Sequence, residues 1–156
     1  MTVLFSIPVL LMSLVLALFP ATSPAQDKNG GDETLYLTFD DVTFEMEKDE
    51  EFERDMLTDE INNMEGKRIS IRGYILPNGT KQSGNKKFIL VRDNKECCFG
   101  PGAALYDCVL VKLRKNHEVD FTVRPVTVEG TFQLKELEIG GRTMAIYRMR
   151  NCTVSQ

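Results

Sequence analysis

The stretch Arg68-Ile69-Ser70-Ile71-Arg72-Gly73-Tyr74-Ile75-Leu76 decides the fold. Ile69, Ile71 and Ile75 recur with period two, the signature of a strand with one buried face. A glycine interrupts that strand at position 73. The same local pattern returns in Val126-Thr127-Val128-Glu129-Gly130, again an alternating apolar pair followed by a glycine. Glycine weakens a strand, so its presence twice needs a cause. A strand that bends around a barrel corner needs a residue without a Cβ, and that is the reading adopted.

The neighbouring segments supply the other strands. Leu35, Leu37 and Phe39 alternate with Tyr36 and Thr38. Phe88-Ile89-Leu90-Val91 is a continuous apolar run expected to be buried on both faces. Cys108 to Leu113 is a further strand. Val123 to Leu134 places Val126, Val128, Phe132 and Leu134 on one face, Gly140-Gly141 turns the chain, and Thr143, Ala145, Tyr147 and Met149 alternate through the last strand. Five strands after Gly66 with two interior glycines suit a small closed barrel of the OB type. The alternative is a flat or half-open sheet whose glycines mark only bulges. Ahead of the sheet, Lys48 to Met64 is helical in character, with Phe52 and Met56 and then Leu57, Ile61 and Met64 on one stripe. Thr58 can cap a second short helix there, and Gly66 stops it. The expected class is therefore mainly β: a five-stranded OB-like barrel preceded by an acidic strand-plus-helix segment.

The chain has 156 residues and a net charge of −4. That length suits one domain. Residues 1–25 carry no charged side chain and end in Ser23-Pro24-Ala25, with small residues at the −3 and −1 positions of a cleavage site. This predicts a signal peptide over 1–25, a flexible arm over 26–34 and a single domain over 35–154. An exported product, periplasmic or extracellular, follows, with no transmembrane segment after cleavage. The charge is unevenly spread: Gln26 to Glu65 sums to −12 and Gly66 to Gln156 to +8. Either the acidic lead segment lies over the basic body, or the basic body faces an anionic partner.

The motif record excludes more than it proposes. There is no nucleotide-binding glycine loop, no nucleophile elbow and no zincin helix. A lone histidine, His117, rules out sites that need two, and its polar surroundings predict a solvated side chain. The unusual feature is the loop Glu96-Cys97-Cys98-Phe99-Gly100-Pro101-Gly102-Ala103-Ala104-Leu105-Tyr106-Asp107-Cys108, with Cys152 near the last strand. In an exported protein four cysteines read first as disulfides. A bond between adjacent Cys97 and Cys98 is strained, so pairs with Cys108 and Cys152 are preferred. Reduced structural thiols are the bland alternative. A zinc or copper site on Cys97, Cys98 and Cys108 is the sharper one, although adjacent cysteines give poor ligand spacing.

Leu37-Thr38-Phe39-Asp40-Asp41, then Met64 to Pro77, then Phe88-Ile89-Leu90-Val91, then the cysteine loop, resemble in their order the bacterial exported family catalogued as domain of unknown function 3299. The likeness runs from Leu35 to Met149. It implies a small β-rich protein outside the cytoplasm and no particular reaction. The family loop reads Cys-x-His followed by a proline run. Here Cys97 matches the cysteine, Phe99 stands at the histidine, and Pro101 alone stands for the prolines.

The expected function is a non-enzymatic binding or accessory module of the cell envelope, serving an envelope protein or transporter and needing no cofactor. Its binding or disulfide loop comprises Cys97, Cys98, Pro101 and Cys108, with Cys152 nearby. Its contact surface comprises Arg68, Arg72 and Tyr74, with Arg92 and Lys95 near the loop. The alternative is a thiol-based metal-handling or redox protein using the same cysteines. Single-stranded nucleic-acid binding is disfavoured by the acidic total and the export signal.

Overall fold

Gly66 ends the irregular lead segment with φ +78°, and its N–H donates to the Phe132 carbonyl at 2.9 Å. From that point the chain is sheet. The computed structural model describes residues 33–47, 50–76, 82–93 and 104–156. Its strands are β1 (Leu35–Leu37), β2 (Arg68–Leu76), β3 (Lys87–Val91), β4 (Cys108–Leu113), β5 (Val126–Ile139) and β6 (Arg142–Ser155). They form one six-stranded sheet. β2 pairs antiparallel with β3, β3 with β4, and β5 with β6, while β4 pairs parallel with β6. β5 also pairs antiparallel with β2, so β2, β3, β4, β6 and β5 close a ring. β1 stands outside the ring and runs parallel to the first half of β2, Leu37 opposite Ile71.

Both interior glycines lie within strands, as expected, and each is needed for a close approach. A Cβ on Gly130 would lie 2.5 Å from Cys152 Sγ and 2.7 Å from the Arg150 carbonyl oxygen on β6. A Cβ on Gly73 would lie 2.6 Å from the Val91 carbonyl oxygen and 3.0 Å from Phe39 Cε2. Opposite Gly130, the β5–β6 register shifts between Glu129 and Thr131. Asn151 takes φ +53° there, so β6 bends at this point. At the far end of the hairpin Gly140 and Gly141 take φ +61° and +77°, the pair of positive values that a tight two-residue β-turn requires.

The ring encloses one main core. Ile69 and Ile71 of β2, Leu90 of β3, Val109 of β4, Val126, Val128 and Phe132 of β5, and Tyr147 and Met149 of β6 are all fully or almost fully buried. The lead segment supplies Phe39, Val42, Phe44, Leu57, Ile61 and Met64 to the same core. Tyr147 fastens the two parts together, its hydroxyl donating to the Val42 carbonyl at 2.6 Å. Burial raises that hydroxyl's pKa well above the ordinary tyrosine value. A smaller cluster of Val91, Cys108 and Ala145, with half-buried Tyr74, Leu76, Ile89, Leu110 and Leu137 packed against it, lies apart from the main core.

Some elements differ from expectation. The helix expected over Lys48–Met64 is present as a 3₁₀ turn at Arg54–Met56 and a short α-helix, α1, at Asp59–Asn62. Leu57 between them is extended. Thr58 starts the second element, its hydroxyl accepting from Ile61 N–H at 3.3 Å. The apolar stripe packs on the core regardless of this break. The first strand ends at Leu37, because Phe39 turns inward and a 3₁₀ turn, Asp40–Val42, follows. β5 and β6 run on to Ile139 and Ser155, past the expected ends at Leu134 and Met149. Ile89 is half-buried, so β3 is not covered on both faces throughout. Among the described residues no helix is long and apolar enough to cross a membrane.

Candidate functional site

Strand β2 changes partner halfway along one side. β1 covers Ile69 to Ile71 and β3 covers Tyr74 to Leu76. Arg72 and Gly73 fall in the gap, where the chain leaving β1 meets the chain leaving β3. The gap is an open cleft of about 250 Å³ lined by Leu37, Thr38, Phe39, Asp40, Arg72 and Arg92.

Arg92 organises it. Its Nη1 donates to Asp40 Oδ1 at 2.7 Å, and its Nη2 donates to the Phe39 carbonyl at 3.1 Å and to Thr43 Oγ1 at 2.8 Å. Its Nε makes an ion-pair contact with Asp107 Oδ1 at 2.6 Å, and its backbone N–H donates to the Asp107 carbonyl at 3.1 Å. The guanidinium carbon also lies 5.8 Å from the Phe39 ring centre and 5.9 Å from that of Tyr106. One side chain therefore ties the lead segment, the end of β3 and the turn Leu105–Asp107 before β4. Both ends of the β3–β4 connection, which carries Cys97 and Cys98, are fixed by the Arg92–Asp107 contacts. A planar fork with five donors can hold this many acceptors, and an ammonium cannot.

Arg72 contrasts with it. It is exposed, and among the described residues it forms no ion pair. Asp41, next in sequence to the cleft residue Asp40, is committed to Thr38, whose backbone N–H and hydroxyl donate to Asp41 Oδ2 at 2.7 and 2.8 Å. Those bonds hold its carboxyl below the usual carboxylate range, the backbone donation foremost. The cleft thus has a hydrogen-bonded floor and, at its rim, the Arg72 cation, which forms no ion pair among the described residues. That arrangement can hold an anionic group. Among the described residues no three His, Cys, Asp or Glu side chains converge on a metal-sized site.

Of the sequence-derived contact residues, Arg72 and Arg92 come together in the cleft. Tyr74 follows on the same face of β2. Arg68 is half-buried and engaged, its Nε donating to Glu129 Oε1 at 2.7 Å across to β5. Lys95, Cys97, Cys98 and Pro101 lie outside the described residues, as does the segment 1–25 and most of the arm over 26–34. Cys108 begins β4, buried, its thiol directed at the Leu105 and Met144 carbonyls at 3.8 and 3.9 Å. Cys152 is a free thiol in the main core, so the expected pairing is not seen among the described residues, while Cys97 and Cys98 lie outside them. Burial pushes its pKa up to about 12, so it stays protonated and unreactive. Among the described residues no two cysteines form a disulfide. His117 is half-buried in the β4–β5 connection, its ring beside Arg114 Nε, and not fully solvated as expected. Sequence reading missed Phe39, Asp40, Thr43 and Asp107 as partners of Arg92. Asp40-Asp41 read only as a turn, and nothing local to Asp107 indicates that it meets position 92.

These features define a mainly β domain with a ring of five strands and a cation-rimmed cleft where β2 changes partner. The family model for DUF3299, described as a protein of unknown function, matches residues 18–156, and the chain belongs to that family. Among solved structures it is similar to the crystal structure of a DUF3299 family protein from Pseudomonas aeruginosa PAO1. The TM-score is 0.52 at 18% identity, over 79% of this chain and 97% of that one. That likeness concerns the fold. No curated protein matches the chain.

Proposed function

We propose that the protein is an exported, non-enzymatic binding module of the cell envelope, built on an OB-like ring, that uses the cleft and the adjoining β3–β4 connection to contact another envelope protein. The strand order β2-β3-β4-β6-β5, with its parallel step from β4 to β6, supports the OB-like reading. The hydrophobic, uncharged 1–25 segment supports export. The observation that carries the binding role is the contrast between the two arginines. Arg92 spends its donors on building the cleft, while Arg72 stands exposed at the rim with no ion pair among the described residues. A preformed cleft with a fixed floor loses little conformational entropy when a partner docks.

The test is site-specific photo-cross-linking in cells. A photoreactive amino acid is placed at position 72, and at Asp59 on the exposed side of α1 as control. The expected result is a discrete adduct of one mass from position 72 and none from position 59. Equal labelling from both positions, or none from position 72, overturns the proposal.

A further inference from the structure

Strand alternation and register fix which side chains share the outer surface of the ring. On β2 these are Arg72, Tyr74 and Leu76; on β3, Lys87, Ile89 and Val91. On β4 they are Cys108, Leu110 and Lys112; on β6, Arg148 and Arg150. Their sequence neighbours Ile75, Phe88, Leu90, Val109, Val111, Tyr147 and Met149 belong to the inner core. Register lines up Leu76, Ile89, Leu110 and Arg148 across the strands, and sets Tyr74 beside Val91 and Val91 beside Cys108. On this side Val91 and Cys108 are buried in the smaller cluster, so the accessible face is a band of half-buried Tyr74, Leu76, Ile89 and Leu110, with exposed Arg72 at one end and exposed Lys87, Lys112 and Arg150 towards the other. None of these positions on β2, β3, β4 and β6 holds an Asp or Glu, and the outward Glu129 of β5 is taken by Arg68.

Arg148 donates its Nη2 to the Glu136 carbonyl at 3.2 Å, whereas two observations show that the lysines of this face are not neutralised among the described residues. Lys87 lies directly opposite Lys112, both exposed, and among the described residues neither forms an ion pair. Like charges in that position destabilise a strand pair, and a local conflict of that kind is expected where a surface serves function. The described part of the acidic lead segment makes no ion pair with this face either. Apolar packing holds it to the core, and among the described residues its one ion pair with the rest of the chain is Asp40 with Arg92.

We infer that this outer face docks an extended acidic segment of a partner protein, with aliphatic side chains between its carboxylates. The inference rests on the binding-module reading and gives the partner its chemistry. Aliphatic groups would fill the band between Tyr74, Ile89 and Leu110, and carboxylates would reach Lys87, Lys112 and Arg150. A bilayer surface fits less well, because the apolar side chains are half-buried in the sheet and do not project. A single nucleic-acid strand fits less well, because Tyr74 is the one aromatic in the band and base stacking needs several. Arg72 belongs to both this face and the cleft, which makes the two surfaces continuous.

The probe is a synthetic peptide of repeated Glu-Leu-Glu-Ser units, titrated into the ¹⁵N-labelled protein and followed by amide shifts. Vesicles of phosphatidylcholine and phosphatidylglycerol, and oligothymidylate, are run alongside. Saturable shifts are expected along β3 and β4, from Lys87 to Ile89 and from Leu110 to Lys112. Affinity should fall at least about tenfold in Lys112→Glu, while that variant's unfolding midpoint stays level or rises, because the new carboxylate faces Lys87. The inference is overturned by no peptide binding, by shifts confined to the lead segment, by undiminished binding to Lys112→Glu, or by tighter binding of vesicles or oligothymidylate on the same face. If the peptide fails while the position-72 adduct persists, the binding module stands and its partner chemistry is wrong. If the adduct is also absent, both fall.

Discussion

Replacing Gly130 by alanine introduces a methyl group where the ring has no space. The new Cβ would sit 2.5 Å from Cys152 Sγ, 2.7 Å from the Arg150 carbonyl oxygen and 3.1 Å from Cys152 Cα. Two of those atoms are backbone, and Cys152 is fully buried, so no flexible side chain can swing away. β5 cannot retreat, because β2 holds its other side with Ile69 opposite Gly130. β6 must therefore shift outward, and overpacking of this kind costs about 1–3 kcal/mol. Alanine lowers the unfolded chain's entropy and returns about 0.4–1 kcal/mol. The expected net loss is about 1–2 kcal/mol. Truncating the sulfur in the same chain, Gly130→Ala with Cys152→Ala, removes the shortest contact and leaves the carbonyl one. The double variant should therefore lose less than the two singles together, by about 0.5–1 kcal/mol. Urea unfolding followed by far-ultraviolet circular dichroism measures all four proteins at a common m value. A Gly130→Ala midpoint equal to or above that of the parent would refute the close-approach reasoning.

Arg92→Ala removes the tie between Asp40, Thr43 and Asp107; in urea unfolding it should lose about 1–2 kcal/mol, discounted for partial exposure, and limited proteolysis between Asp93 and Ala104 should accelerate. Tyr147→Phe strands the Val42 carbonyl and should cost about 1–2 kcal/mol, with proteolytic sensitivity rising first in the lead segment. Alkaline pH tests the buried groups. Burial raises the Cys152 thiol from 9.0 to about 12 and raises the Tyr147 hydroxyl further, so the unfolded chain gives up these protons first. Their contribution is fully present below pH 9 and is lost as pH climbs towards 12; Cys152→Ala should make that decline shallower in urea titrations at stepped pH. Thr58→Ala removes the cap of α1 and should cost about 1 kcal/mol in the same assay.

The sheet was readable because its signals are local. Ile69, Ile71 and Ile75 alternate, Val126 and Val128 alternate, and Gly140-Gly141 marks a tight turn, so strand positions follow from period and turn chemistry alone. The two interior glycines read as strand bends at a barrel corner, and what the structure adds is the atoms that leave no room for a Cβ at either. The lead segment was readable as an apolar stripe but not as a conformation. Thr58 competes for its own cap, Leu57 becomes extended, and tertiary contact with the ring sets the path. The cleft was only half readable. Arg72 stood out as an exposed cation on its strand and Arg92 as one near the cysteine loop, whereas the pairing of Arg92 with Asp107 depends on β3–β4 register, and its pairing with Asp40 spans 52 positions. The outer face was hidden for the same reason: Lys87 and Lys112 oppose one another only once the strands are placed.

The cleft and the charged face both follow from one arrangement, in which β2 has β1 and then β3 along one edge and β5 along the other. Cross-strand nuclear Overhauser contacts in the isotope-labelled protein measure it directly. Leu37 should contact Ile71, Leu90 should contact Ile75, and Val128 should contact Ile71, all in one folded species. An Ile71 with neighbours on a single edge would mean an open sheet, and neither binding surface would then exist in the form described.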